Sequence, residues 1–482
     1  MSASPTAPTA VLVLDVVGLT PALLPHMPHL RALGAEGFTA TLDPVFPAVT
    51  CSVQSSMLTG LPPRDHGVVG NGWYFRDLGE VLLWRQHNGL VAGEKIWHAA
   101  RRQNGDYRVA NICWWYAMGA DVDITVTPRP IYHMDGRKSP DCYTVPPELH
   151  DELTDHFGPF PLFKYWGPGA GLPSSQWIID AAGRILDRSR PDLTFVYIPH
   201  LDYDLQRYGP DSAQARTAAG DVDTALAPLL TQARAAGTTV VALSEYGITD
   251  VHGTIDINRM LRREGLLRVY VQAGMEYLDP WTSKAFAVAD HQVAHVYVAD
   301  PADVARVQAM IAMLPGVDAV LDRGAQATFG IDHERAGELV AIAEPDHWFT
   351  YYYWLDDDCA PDFARCVEIH RKPGYDPAEL FLNPADPWAK ARIALALARK
   401  AVGLRYTMAV IPLVPSMIRG SHGRLPDDPR NGPVLLCSDP SAARERYRAT
   451  EVKDLLLRLA GMTEPNPTSR HGTVTTYGGT PQ

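Results

Sequence analysis

The chain is poor in cysteine, in basic charge and in long apolar runs, and each shortage excludes something. Of its 482 residues only six are cysteines (Cys51, Cys113, Cys142, Cys359, Cys366 and Cys437), and none forms a C-x-x-C pair. That excludes a structural zinc ribbon and suits reduced, mostly buried thiols. A formal charge of −12 argues against binding a nucleic-acid polymer, though not against a small anion held by metals. The longest late apolar stretch, YTMAVIPLVP (406–415), is too short to span a bilayer and is broken by prolines. The first residues, MSASPTAPTA, have no basic segment followed by an apolar one, so no secretion signal is read and a cytoplasmic location is expected. Internal repeats and low-complexity tracts are also missing.

What is present is an ordinary globular composition, 46% hydrophobic and 20% charged. Three near-continuous apolar runs read as strands buried on both faces of a parallel sheet: VLVLD (11–15), TFVYIPHLD (194–202) and TTVVALSE (238–245). Helical patterns follow at 94–103, 174–190 and 212–237, the last closing a crossover between two of the strands. The stretch 105–172, rich in Pro, Gly, Tyr and Trp, reads as a long insertion over the strand edge. Short strands and one helix between 271 and 344 read as a small α+β cap. The expected architecture is α/β, a three-layer α/β/α sandwich with a mostly parallel central sheet. Its core comprises 1–270 and 345–482, and the cap covers 271–344.

Each of the three runs ends in an acid: Asp15, Asp202 and Glu245. Ligands of open α/β sheets bind outside the carboxyl ends of the strands. Three acids delivered there repel one another unless protonated or bound to a cation, so a divalent metal site is the simplest reading. Thr50, in FPAVTCSVQSSMLTG, and His422, in RGSHGR, complete the set. A hydroxyl, acids and a late histidine suggest metal-assisted transfer of a phosphoryl-type group.

These residues, in this order, resemble the alkaline phosphatase superfamily, in particular its nucleotide pyrophosphatase/phosphodiesterase branch. F-P-A-V-T (46–50) looks like that branch's F-P-x-x-T, and T-G-L-P-P-R-D-H-G (59–67) is similar to its T-G-x-x-P-x-x-H-G. The resemblance implies two metals at the strand ends, zinc in the family, and a threonine nucleophile that forms a phospho-enzyme later cleaved by water. It assigns Thr50 as nucleophile, Asn71 as donor to the phosphoryl oxygen, and Asp15 as the first metal ligand. The other reading of Thr50 is a helix cap.

Two motifs depart from the family. D-Y-D-L-Q-R-Y-G-P (202–210) has Gln206 where a histidine ligand stands, and S-E-Y-G (244–247) has Glu245 and Tyr246 for Asp and His. The implied ligand set is therefore Asp15, Thr50, Glu245 and Tyr246 for one metal and Asp202, Gln206 and His422 for the other. Oxygen-rich donors suit Mg²⁺, Mn²⁺ or Ca²⁺ better than zinc. His200, His252, His291, His295 and His370 are the candidates to compensate for the lost imidazoles; each could equally be an ordinary buried histidine. His200, two residues before Asp202 on the expected strand, shares its face. His370, Arg371 and Lys372 read either as an anion clamp or as a structural turn. The aromatic run Trp348–Trp354 reads mainly as core.

The function expected from these residues is hydrolysis of a small phosphorylated substrate, a phosphodiester or nucleotide-like pyrophosphate. Two rivals remain: a phosphonoacetate hydrolase-like cleavage of a C–P bond, and a non-catalytic descendant that only binds metal or ligand.

Overall fold

Why the chain folds around one sheet is visible in β1 (Val11–Val16), where every residue is buried. The computed structural model describes residues 10–462 apart from 135–136, 384–385, 402–403 and 405–406. Eight further strands join β1: β2 (Phe38–Asp43), β3 (Val109–Ile112), β4 (Ile124–Pro128), β5 (Cys142–Val145), β6 (Leu193–Ile198), β7 (Thr239–Leu243), β8 (Val434–Cys437) and β9 (Arg446–Arg448). Their order is β9-β2-β8-β7-β1-β6-β3-β4-β5. The central block β7-β1-β6-β3-β4 is parallel throughout. β8 and β5 pair antiparallel on either side of it.

Side chains of a strand alternate between faces, and here the alternation divides two cores. Leu12, Leu14 and Val16 face one core, filled by α2 (Leu172–Ser189) and α4 (Ala213–Ala235); Val11 and Val13 face the other, with Val53 and Met57 of α1 (Thr50–Thr59) and the helix Val452–Leu459. Helices thus cover both faces, and the expected α/β/α sandwich with a mostly parallel sheet is what forms. Each buried Val or Leu contributes about 1.5–3 kcal/mol, enough together to offset the burial of one carboxylate, Asp15, within β1.

Two sequence readings change. β6 stops at Ile198 rather than running to Asp202, because Pro199 has no N–H to give to the ladder. Asp202 instead lies in the first turn of α3 (His200–Tyr208). Residues 200 and 202 are then about 200° apart around a helix, not on one strand face. The stretch 105–172 is not one loop either, since it supplies β3, β4 and β5. Their short runs are separated by turns dense in Pro and Gly, which hide the strand pattern.

Between 285 and 343 lies a second sheet, entirely antiparallel, in the order 285–290, 293–298, 339–343, 317–321. It has its own apolar core, which takes in Phe349, Tyr351, Tyr352, Tyr353 and Trp354; the aromatic run is core. The hairpin Ala285–Asp290/Val293–Val298 aims its tip, His291 and Gln292, at the end of the parallel block, where Gln292 N–H reaches the carbonyl of His422.

Candidate active site

The N-terminus of α1 is where the site begins. Val49 is extended and contributes no side-chain cap, so Thr50 is the first helical residue. Its hydroxyl caps nothing: Oγ1 donates to Glu245 Oε2 at 3.0 Å and lies 3.3 Å from the Tyr246 hydroxyl. The free N–H of Cys51 is taken by Asn71 Oδ1 at 3.0 Å. Asn71 is held in turn by Asp290, through its backbone N–H (2.8 Å) and its Nδ2 (3.0 Å).

One turn into α1, Gln54 faces the same way as Thr50. Its Nε2 donates to Asp15 Oδ2 at 2.9 Å and to Glu245 Oε1 at 2.6 Å, while its Oε1 accepts from Trp115 N–H at 2.8 Å. Asp15 and Glu245 are fully buried and close enough to share a proton, and no other side chain or backbone group donates to Asp15 Oδ1. Burial raises both carboxyls above their ordinary range, and the charge of Asp15 raises Glu245 further. An amide offers these two acids only dipoles. A divalent cation beside Asp15, Thr50 and Glu245 would meet the orphaned oxygen and neutralise the pair, so these three residues fit one metal.

The second half of the set is arranged differently. Gln206 Nε2 donates to Asp202 Oδ2 at 2.7 Å, and Tyr246 OH donates to Asp202 Oδ1 at 3.3 Å. Gln206 Oε1 accepts from Tyr375 OH at 3.0 Å. Turning the amide over would set its oxygen against the Asp202 carboxylate, so the network fixes its orientation. Both Asp202 oxygens are engaged, and Gln206 presents nitrogen, which cannot ligate. As arranged, Asp202 and Gln206 do not fit a second cation. Burial pushes the Asp202 carboxyl up to about 6, with the His291 charge pulling back.

Four rings close the site. Tyr246 stacks on His422 at 3.5 Å and 6°, His422 lies 3.8 Å from His291, and His291 stacks on Tyr375 at 3.6 Å. His422 Nδ1 is 2.9 Å from the Ala48 carbonyl, which can only accept, so Nδ1 carries the proton and Nε2 a lone pair. That Nε2 is buried without a partner. Burial, and then the His291 charge, hold His422 well below the usual histidine range. His291 Nδ1 points at Asp290 Oδ1, 2.8 Å away. Its backbone has φ +63°, a left-handed conformation that β-hairpin tips accept and that histidine adopts uncommonly.

The other expected histidines lie elsewhere. His200 is buried beside the charges of Asp204 and Asp221, with neither ring nitrogen partnered. His252 is exposed and 3.3 Å from Asp346. His295 spends both nitrogens on backbone, Val69 O and Gly337 N. His370 faces the Leu83 carbonyl at 3.4 Å. Lys372 is buried between Asp376 (2.7 Å) and Glu379 (2.6 Å); for this lysine the structural turn is the observed arrangement. Among the described residues, the groups of three ligand-type side chains drawn close together are Asp141, Cys142, His150 and Glu344, Asp346, His347, both apart from Thr50.

Gln54 and Tyr375 were missed. The signal for Gln54 was its spacing of four from Thr50 on a helix. Tyr375 lies in K-P-G-Y-D-P, where turn formers mask any role for the aromatic.

Comparisons with known proteins place the chain in a family and match its fold. Residues 11–376 match the family model for type I phosphodiesterase / nucleotide pyrophosphatase. Among solved structures, the chain resembles phosphonoacetate hydrolase from Sinorhizobium meliloti 1021 in complex with phosphonoformate, with TM-score 0.58, 16% identity, and 95% of this chain and 96% of that one covered. It also resembles murine ectonucleotide pyrophosphatase/phosphodiesterase 5, an inactive variant in complex with AMP, with TM-score 0.56, 15% identity, and 96% and 97% covered. At these identities the likeness to the solved structures establishes the fold. The family match supports a metal-dependent hydrolase of phosphate esters.

Proposed function

The chain belongs to the type I phosphodiesterase / nucleotide pyrophosphatase family, and we propose that it hydrolyses a phosphodiester or nucleotide-like pyrophosphate with Thr50 as nucleophile. The observation that carries this reading is the Thr50 hydroxyl at a helix N-terminus, 3.0 Å from Glu245 and not used as a cap. A threonine hydroxyl is a weak nucleophile that needs activation. Asp15, Thr50 and Glu245 would hold one divalent cation, whose charge favours the alkoxide; their oxygen donors suit Mg²⁺ or Mn²⁺ better than zinc.

Thr50 Oγ1 attacks phosphorus, and its proton passes to Glu245. The P–O bond opposite breaks, its oxygen leaves with the electron pair and takes a proton from solvent, and the remaining phosphoryl group stays on Thr50. Charge on its oxygens is met by the helix N-terminus and by the Asn71 Nδ2 hydrogen not used by Asp290. Water then attacks phosphorus, the P–O bond to Thr50 breaks, and the proton held by Glu245 returns to the Thr50 oxygen. The lone pair of His422 Nε2 is the acceptor we assign to that water's proton. Gln206 holds Asp202 and is itself held by Tyr375, and as so arranged this half of the set does not fit the second metal that the family resemblance implies.

The test is a substrate panel with metal add-back, comparing a p-nitrophenyl phosphodiester, a dinucleotide pyrophosphate and phosphonoacetate. Turnover of either of the first two, lost in Thr50→Ala, supports the proposal. Turnover of phosphonoacetate alone would replace it with C–P cleavage, and turnover of none with a binding role.

A further inference from the structure

Outside the site, the strongest unexplained feature is an arm after residue 386. Its helix, α5 (Ala389–Ala401), is attached by one side only. Ala389 and Ala396 are buried, and Ile393 packs against a small cluster of Ala378, Val410 and Ile411. At 100° per residue, Ala391, Ala394, Leu395 and Ala398 share the opposite side, and all four are exposed. Leu395 is 61% exposed, and Trp388, just before the helix, is 70% exposed.

The charged side chains that the helix itself carries beside this apolar side are all basic. Lys390 borders it on one edge, Arg392 and Arg399 on the other, and all three are exposed; Arg392 also pairs with Asp386. From residue 387 to 426 the sequence contains no Asp or Glu. In a chain of net charge −12 this is a local reversal of sign, coinciding with the outward apolar strip. An amphipathic helix with Leu and Trp on one side and Lys and Arg beside it is built to lie in a bilayer interface. At 13 residues, about 20 Å long, it is too short to cross the ~30 Å hydrocarbon core, and no described helix is long and apolar enough to do so.

We propose that this arm is a peripheral membrane-binding element that lays its Leu395–Trp388 side on an anionic bilayer surface. Charge decides the occupant and its orientation. The basic edges are attracted to acidic headgroups while the acidic remainder of the chain is repelled, so the chain docks by this arm and not by another face. The root of the arm bears on the site: Ala378 follows Tyr375 and Asp376 in sequence, and Tyr375 holds Gln206.

Vesicle co-sedimentation of the full chain tests this, using phosphatidylcholine vesicles with and without phosphatidylglycerol, at low and high salt. The expected result is binding to the anionic vesicles, weakened by salt, and at least ~10-fold weaker for a Trp388→Glu/Leu395→Glu double variant. These exposed positions leave the fold and the basal turnover of a water-soluble phosphodiester unchanged, which circular dichroism and a rate measurement verify. No binding by the unaltered chain overturns the proposal, as does binding that the double variant retains. A dimer in solution that the double variant dissociates, without vesicle binding, also overturns it and assigns the strip to a second copy of the chain.

Discussion

The Thr50 hydroxyl donates to Glu245 at 3.0 Å, while Gln54, one turn further along the same helix, ties that carboxylate to Asp15. One helix therefore delivers both the group assigned to attack and the amide that keeps two buried acids together. The acids come from adjacent parallel strands, whose register sets Asp15 beside Leu243, two residues before Glu245.

Metal stoichiometry follows from the orientation of Gln206. With its nitrogen on Asp202 and its oxygen on Tyr375, the chain is expected to bind one divalent cation per molecule. A Tyr246→His/Gln206→His variant, which restores imidazoles at both departures, should bind two. Elemental analysis after dialysis decides; two cations in the unaltered chain would show that Gln206 turns over and ligates.

How much of this was legible in the sequence depends on the physical range of each signal. Asp15, Thr50 and Glu245 could be read because each stands at the end of an element whose pattern is local. Asp202 was read as the end of a strand and lies instead in the first turn of a helix, since the apolar run passes through Pro199 without showing that the ladder stops there. The role of Asp290 and His291 depends on a hairpin that crosses more than 200 residues of sequence to reach Asn71, and no local pattern encodes that meeting. His295, five residues from Asp290, looked equivalent to His291; strand alternation sends one to Val69 O and the turn sends the other to the site. Gly247 had a readable reason only in three dimensions, since a Cβ there would run into the Asn431 carbonyl.

Lys372 supports the segment that carries Tyr375. Its ammonium is buried between Asp376 and Glu379, so Lys372→Met leaves two buried carboxylates uncompensated. A loss of about 3–5 kcal/mol is expected, measured by urea unfolding. A loss under about 1 kcal/mol would mean that water reaches the pair.

Acid should destabilise the chain through its buried neutral histidines. His66 is fully buried, within reach of Ser56 Oγ (2.9 Å) and the Val68 N–H (3.1 Å). Burial, then the charges of His333 and Arg335, lower it from 6.5 to about 3. The unfolded chain binds this proton below pH 6.5 and the folded chain does not. Stability is therefore unaffected above 6.5 and falls between 6.5 and about 3, by up to ~1.4 kcal/mol per pH unit. Burial lowers His295 in the same direction. A His66→Gln variant should show a shallower decline of Tm over this window. An unchanged slope would show that His66 titrates normally in the folded state.

The most direct test of the account is to trap the covalent species. Metal-loaded protein is mixed with a p-nitrophenyl phosphodiester, quenched in acid during turnover, digested and mapped by mass spectrometry. The account predicts a peptide containing Thr50 that carries the substrate's phosphoryl group minus p-nitrophenol, absent in Thr50→Ala, whose turnover falls by about 10³-fold or more. Turnover with no adduct, retained by Thr50→Ala, would contradict it and make water the direct nucleophile.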